Sequence, residues 1–222
     1  MTPPPPSRFA LIDRTDPRRA AVEALIRTVY QARYGADVPA FPDRLAAIFD
    51  ADGLPHCAAG LRDAASGFFS EVYLDRPVEE AISALALEPA PREAVLEVTT
   101  LAAARPGAAF TLIDRITADG RARGMRWGLF TATRPLRHGL LRAGAGLIEL
   151  GRADPGRLAD AGCWGRYYET DPFVCAVAGD ACMSRAAAQS ASGQKAWGQK
   201  ASGRTVSDAR STPSRSDRTA HA

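Results

Sequence analysis

The stretch from Val95 to Ala132 constrains the fold more than any other. An apolar run, VLEVTTLAA, breaks at Arg105-Pro106-Gly107, continues as the helix-patterned FTLIDRITADGRARG and returns to a second apolar run, WGLFTA. Two strands joined through a helix in one sheet must lie parallel with a right-handed crossover. Leu112, Ile113 and Ile116 recur on the inward face of that helix, and Arg121 and Arg123 precede Gly124, as suits a helix C-terminus.

The flanking segments extend this unit in both directions. RFALID alternates like a strand, and Asp16-Pro17 opens a helix with Val22, Leu25, Ile26, Val29 and Tyr30 at helical spacing before Gly35. RLAAIFD and PHCAAGLR, separated by ADG, read as an antiparallel hairpin. GFFSEVYLD reads as a further strand, and PVEEAISALAL as a helix with Pro77 at its first position and Glu79 and Glu80 in its first turn. Thr133 caps a short helix, LRHGLLRA, and LIELG and FVCAVA supply two last strands. The expected order is β-α-β-β-β-α-β-α-β-α-β-β, a mixed α/β sheet and not a long doubly wound one.

Composition narrows the partners. With 46% hydrophobic residues in 222, one core and a tail are expected. We read residues 1–7 as a flexible lead-in, 8–183 as the domain and 184–222, rich in Ser, Ala, Gly and Gln, as a disordered tail. The tail carries a formal charge of +5 and the rest −2, so the basic character belongs to the tail. Nucleic acid is therefore not expected as the main ligand, because phosphate binding needs clustered positive charge. The proline run at the start is unlike a signal peptide, and no apolar stretch is long enough to span a bilayer. A cytoplasmic location follows, with Cys57, Cys163, Cys175 and Cys182 as reduced thiols and no metal site at ligand spacing.

Several linked segments resemble one family. GLRDAASGFFSEVYLDRPVEEAI, LEVTTLAA, WGLFTATRPLRHGLLRAG and ADPGRLADAGCWGRYYETDPFV, in this order from Tyr34 to Val177, are similar to the thermostable hemolysin family. The layout around Val95–Gly124 also resembles the GCN5-related N-acetyltransferase (GNAT) architecture, shared by acyl-homoserine-lactone synthases. The resemblance implies a GNAT-like acyltransferase fold. It further implies an enzyme moving an acyl group from a thioester, acyl-CoA or acyl carrier protein, to a small amine, with no permanently bound cofactor. The alternatives are a membrane-active haemolytic protein, as the family name has it, and a non-catalytic binding module on the same fold.

That chemistry assigns candidate residues. In the acetyltransferase architecture the carrier's pyrophosphate rests on the loop after the central strand, here Ala103 to Ala109, with Ala103, Arg105, Gly107 and Ala108 as donor-binding positions. Pro106 removes one N–H from that loop, and Arg105 stands only two positions before Gly107, which leaves the donor open between coenzyme A and a carrier protein. Glu97, an acid inside an apolar strand, is either paired structurally with a partner such as Arg62 or is a base with a raised pKa. Glu71, Tyr73 and Asp75 alternate, so on a strand they would share one face, either solvated or recognising a cationic amine together with Arg62. The helix after the second parallel strand lacks the tyrosine that protonates a departing thiolate in many acetyltransferases. Tyr167 and Tyr168 of WGRYYETDP are the candidate substitutes, unless they only pack as an aromatic corner; Tyr168 is taken with Glu97 and Glu71 as the catalytic candidates.

Overall fold

The strand-helix-strand unit organises the molecule as its pattern requires. The computed structural model describes residues 7–179. The expected tail at 184–222, the last residues of the expected 8–183 domain, Cys182 and residues 1–6 lie outside the described residues.

In chain order the elements are β1 (Arg8–Ile12), α1 (Arg19–Tyr34), β2 (Arg44–Phe49), β3 (Pro55–Arg62), α2 (Val78–Ala86), β4 (Val95–Ala103), α3 (Ala108–Ala122), β5 (Trp127–Ala132), α4 (Arg134–Arg142), β6 (Leu147–Arg152) and β7 (Phe173–Ala178). The seven strands form one sheet in the order β1-β2-β3-β4-β5-β7-β6. β4 and β5 pair in parallel, with α3 as their crossover, and every other neighbouring pair is antiparallel.

Each face of the sheet buries its own core. Val22, Ile26 and Tyr30 of α1 pack with Leu45, Ala47, Ala58 and Ala102, and Val78 and Ile82 of α2 pack with Val95, Trp127, Leu129, Val174 and Ala176. On the opposite face Leu112 and Ile116 of α3 cover Leu96, Val98, Ala59 and Leu61. The alternation along β4 and β5 therefore turns Glu97 and Thr131 toward α1 and α2, and Leu96, Val98 and Phe130 toward α3. Among the described residues no helix is long and apolar enough to cross a membrane.

One expected strand is absent. GFFSEVYLD forms a single 3-10 turn at Ser70–Tyr73, so Glu71, Tyr73 and Asp75 do not share a strand face. The cause is long-range: the Arg62 guanidinium holds the carbonyls of Ser66 and Gly67, Gly67 takes φ +70°, and the amides of Phe69 and Ser70 are drawn to Glu97 instead of a ladder. Pro77 also sits one position outside α2, at its N-cap, rather than at its first helical position.

Candidate active site

The parallel pair at the centre of the sheet comes apart halfway along. β4 and β5 are in register from Val95 opposite Trp127 to Val98 opposite Phe130, after which β5 stays with β7 while β4 runs on beside β3 to Ala103. From Thr99 to Ala103 β4 thus has no strand partner on its β5 side among the described residues. The parting strands leave a gap, here called the cleft, along which that edge of β4 lacks a strand partner among the described residues, as pairing with an extended ligand requires.

Within that free segment β4 is distorted. Thr100 and Leu101 together stand opposite Ala59 alone, a β-bulge, and Thr100 adopts φ +46°. A β-branched residue in the left-handed region is a strained outlier, and such strain collects at functional sites. The Thr100 hydroxyl is buried without a hydrogen-bond partner, which adds a second unfavourable term at the same residue. Across the bulge, Gly60 accommodates Thr99 and Pro42, because a Cβ there would lie 2.4 Å from the Thr99 Oγ1. Thr100→Gly should relieve the bulge and raise stability by about 1 kcal/mol, read as a higher urea midpoint with an unchanged slope.

Glu97 lies at the floor of the cleft and is fully buried. Its two carboxylate oxygens accept the backbone N–H of Phe69 at 2.6 Å and of Ser70 at 2.7 Å, the amides that begin the 3-10 turn. Arg62 stands opposite Glu97 in the β3–β4 register, but its guanidinium donates to the Ser66 carbonyl at 3.1 Å and acts on the acid only through its field. Burial raises the Glu97 pKa above its ordinary value, opposed by hydrogen bonds from the Ser70 side chain and from the two amides and by the charge of Arg62. The Ser70 Oγ lies 2.8 Å from the Thr131 Oγ1 on β5, and the Tyr167 hydroxyl donates to the Thr131 carbonyl at 3.1 Å. Sequence reasoning singled out neither Ser70 nor Thr131.

Aromatic rings wall the cleft on this face. Tyr73 and Tyr168 share a hydrogen bond between hydroxyls at 2.6 Å, and the rings of Phe69, Trp164 and Tyr167 pack around them. Burial raises the pKa of both Tyr73 and Tyr168, so both stay protonated near neutrality. The structure thus brings Glu97, Arg62, Tyr73 and Tyr168 to one face of the sheet.

The two remaining acids of the turn point elsewhere. Both Glu71 oxygens bind the Arg92 guanidinium, at 2.6 and 2.9 Å, and one also accepts the Val78 N–H at the start of α2. Arg92 stacks on Phe68 and holds its carboxylate below the usual range, so Glu71 braces the turn against α2. Asp75 is exposed and pairs with Arg157.

At the far end of β4 the Ala103–Ala109 loop leads into α3. The Ala104 N–H donates to the His56 carbonyl at 2.9 Å, Gly107 takes φ +79°, and Ala108 begins the helix. Arg105 is largely exposed and lies 3.4 Å from Asp50 of the β2–β3 turn. The unpaired edge of β4, the loop with Arg105 and the start of α3 thus follow one another along the chain.

A family model described as thermostable hemolysin matches residues 12–183. Among solved structures, the AHL synthase LasI aligns with a TM-score of 0.54 at 12% identity, covering 79% of this chain and 91% of that one. TofI, crystallised in a ternary complex with an inhibitor and MTA, aligns with a TM-score of 0.50 at 17% identity, covering 78% and 91%. A predicted N-acetyltransferase from Lactobacillus plantarum aligns with a TM-score of 0.50 at 12% identity, covering 78% and 97%. No curated protein matches the chain. The fold is that of the GNAT acyltransferases, a mixed α/β open sheet of seven strands.

Proposed function

The chain belongs to the thermostable hemolysin family, and from that premise and its split central sheet we propose that it transfers an acyl group from a thioester to a small amine. The observation that carries this reading is the cleft at Thr99–Ala103, where a strained bulge and an unpaired strand edge coincide at the end of the one parallel pair among the described residues. An extended pantetheine arm has the shape and hydrogen-bonding groups to pair with that edge, and beyond it the positive end of the α3 dipole and Arg105 suit phosphate. Ala103, Arg105, Gly107 and Ala108 form this donor path.

The chemistry needs one proton removed and one supplied. The amine nitrogen attacks the thioester carbonyl carbon, a C–N bond forms and the C–S bond breaks. Glu97 is the base that ends with the amine proton, and Tyr168, protonated and bonded to Tyr73, gives a proton to the departing thiolate. Solvent then returns the proton from Glu97 to Tyr168. Arg62 holds the 66–67 segment that positions Glu97, while Tyr73 orients Tyr168. Donor binding and catalysis fit a small-molecule amine as acceptor, with coenzyme A and acyl carrier protein both open as the carrier.

Purified protein incubated with panels of acyl-CoA or acyl-carrier-protein thioesters and amines should release free thiol in step with amide formation. A thioester that raises the melting temperature without turnover would instead favour a binding module. Lysis of erythrocytes by detergent-free protein, with no thiol release, would favour the membrane-active reading.

A further inference from the structure

Glu97 faces a difficulty as a base: it is fully buried, and both of its oxygens already accept backbone amides. No amine can reach it directly. The Ser70 hydroxyl, on the residue whose N–H the Glu97 Oε1 accepts at 2.7 Å, adjoins the carboxylate, favours its charged form and is itself 1% exposed. The Ser70 Oγ in turn lies 2.8 Å from the Thr131 Oγ1.

Thr131 sits where the chemistry would occur. It is the first residue of β5 beyond the last pair with β4, Val98 opposite Phe130, and it projects to the same face as Glu97. It is partly exposed, and the Tyr167 hydroxyl fixes its backbone from the aromatic wall. A hydroxyl offers one donor and two acceptor sites. Ser70 can therefore donate to Glu97 while accepting from Thr131, which leaves Thr131 an oxygen lone pair toward the cleft.

We propose that Thr131 and Ser70 form a hydroxyl relay that connects the cleft to Glu97, with the Thr131 Oγ1 as the atom that takes the proton from the acceptor amine. The inference rests on the acyl-transfer reading. As the C–N bond forms, the nitrogen proton passes to the Thr131 oxygen, the Thr131 proton to the Ser70 oxygen and the Ser70 proton to a Glu97 oxygen. Each hydroxyl ends with one proton, Glu97 ends neutral in a site whose burial favours that form, and the thiolate is protonated separately. Thr131 is thus a catalytic residue and Ser70 the link. The other charged or titratable groups facing Glu97 are Arg62 of β3 and Tyr73 of the 3-10 turn, and neither bridges it to the cleft.

The test compares Thr131→Val, Thr131→Ser and Ser70→Ala with the wild-type full chain. Thiol release is measured across pH, and the carbonyl stretch of protonated Glu97 is followed by infrared titration, identified by its loss in Glu97→Gln. Thr131→Val should lower kcat about 10²- to 10³-fold, leave KM for the thioester unchanged and flatten the rising limb of the pH profile, a loss in the range of general-base catalysis. Thr131→Ser should recover activity to within about tenfold, since it restores the hydroxyl. In the infrared arm, Thr131→Val and Ser70→Ala should both move the Glu97 midpoint upward, as each removes part of the chain that stabilises the carboxylate. Undiminished kcat with an intact pH limb in Thr131→Val overturns the relay, and so does an unmoved Glu97 midpoint in a folded variant. If wild-type protein turns over no thioester, the acyl-transfer reading fails and the infrared arm decides the Thr131–Ser70–Glu97 coupling by itself.

Discussion

Glu97→Gln is expected to reduce thiol release by 10²- to 10⁴-fold, roughly the range that a positioned general base contributes. The same substitution should leave a second signature in stability. The carboxylate receives two backbone N–H donors, one on each oxygen, and glutamine offers one carbonyl and one NH2 in their place. Either Phe69 or Ser70 then points its N–H at another donor, an unsatisfied buried contact costing about 1–3 kcal/mol. That penalty varies with pH in a definite direction. Burial raises the Glu97 pKa in the folded protein, so over the interval above the ordinary glutamate value the native state binds the extra proton and wild-type stability declines as the pH rises. Glutamine has no such titration. The gap between wild type and variant should be widest in acid and narrow on going to neutral pH, as measured by urea unfolding at a series of pH values. A constant gap would mean that Glu97 titrates as it does in the unfolded chain.

How much of this site the sequence carried depends on how local each feature is. The strand-helix-strand at Val95–Ala132 was legible because its periodicity switches from two to 3.6 and back within one continuous stretch, and Glu97 stood out as an acid among apolar neighbours. The 3-10 turn at Ser70–Tyr73 was not legible, because its amides bind an acid 27 and 28 positions away and its alternating residues mimic a strand. The Thr100 bulge left no trace either: two adjacent threonines suit a regular strand, and the left-handed residue carries the wrong side chain for its conformation. Ser70 and Thr131 lie 61 positions apart, and a hydroxyl in a chain carries no mark of the partner it will meet. Charge, patterning and turn glycines are local signals. The hydroxyl chain that reaches Glu97 is a property of the packed sheet.

Gly165→Ala is expected to be the most damaging single-methyl change beside the aromatic wall. Gly165 takes φ +52° and ψ −127°, a conformation nearly confined to glycine, and a Cβ there would lie 2.3 Å from the Tyr34 carbonyl oxygen and 2.8 Å from two backbone atoms of Gly35. These atoms cannot yield, because they close α1: the Gly35 N–H bonds the Gln31 carbonyl at 2.9 Å and the Arg166 N–H bonds the Tyr34 carbonyl at 2.8 Å. The Asp37 N–H fastens the same junction from the other side, onto the Cys163 carbonyl at 2.7 Å. The added methyl must therefore push the 163–166 segment off α1, carrying Trp164 away from Tyr30 and loosening the rings that hold Tyr167 and Tyr168. Overpacking and backbone strain together should cost about 3 kcal/mol or more, a fall in melting temperature of roughly 6–12 °C for a chain of this size. Gly35→Ala separates the two causes, since Gly35 also has a positive φ, +65°, but open space where its Cβ would stand. That variant should lose only about 1–2 kcal/mol from strain, and equal losses in the two would mean that the Tyr34 contact does not hold the aromatic wall in place.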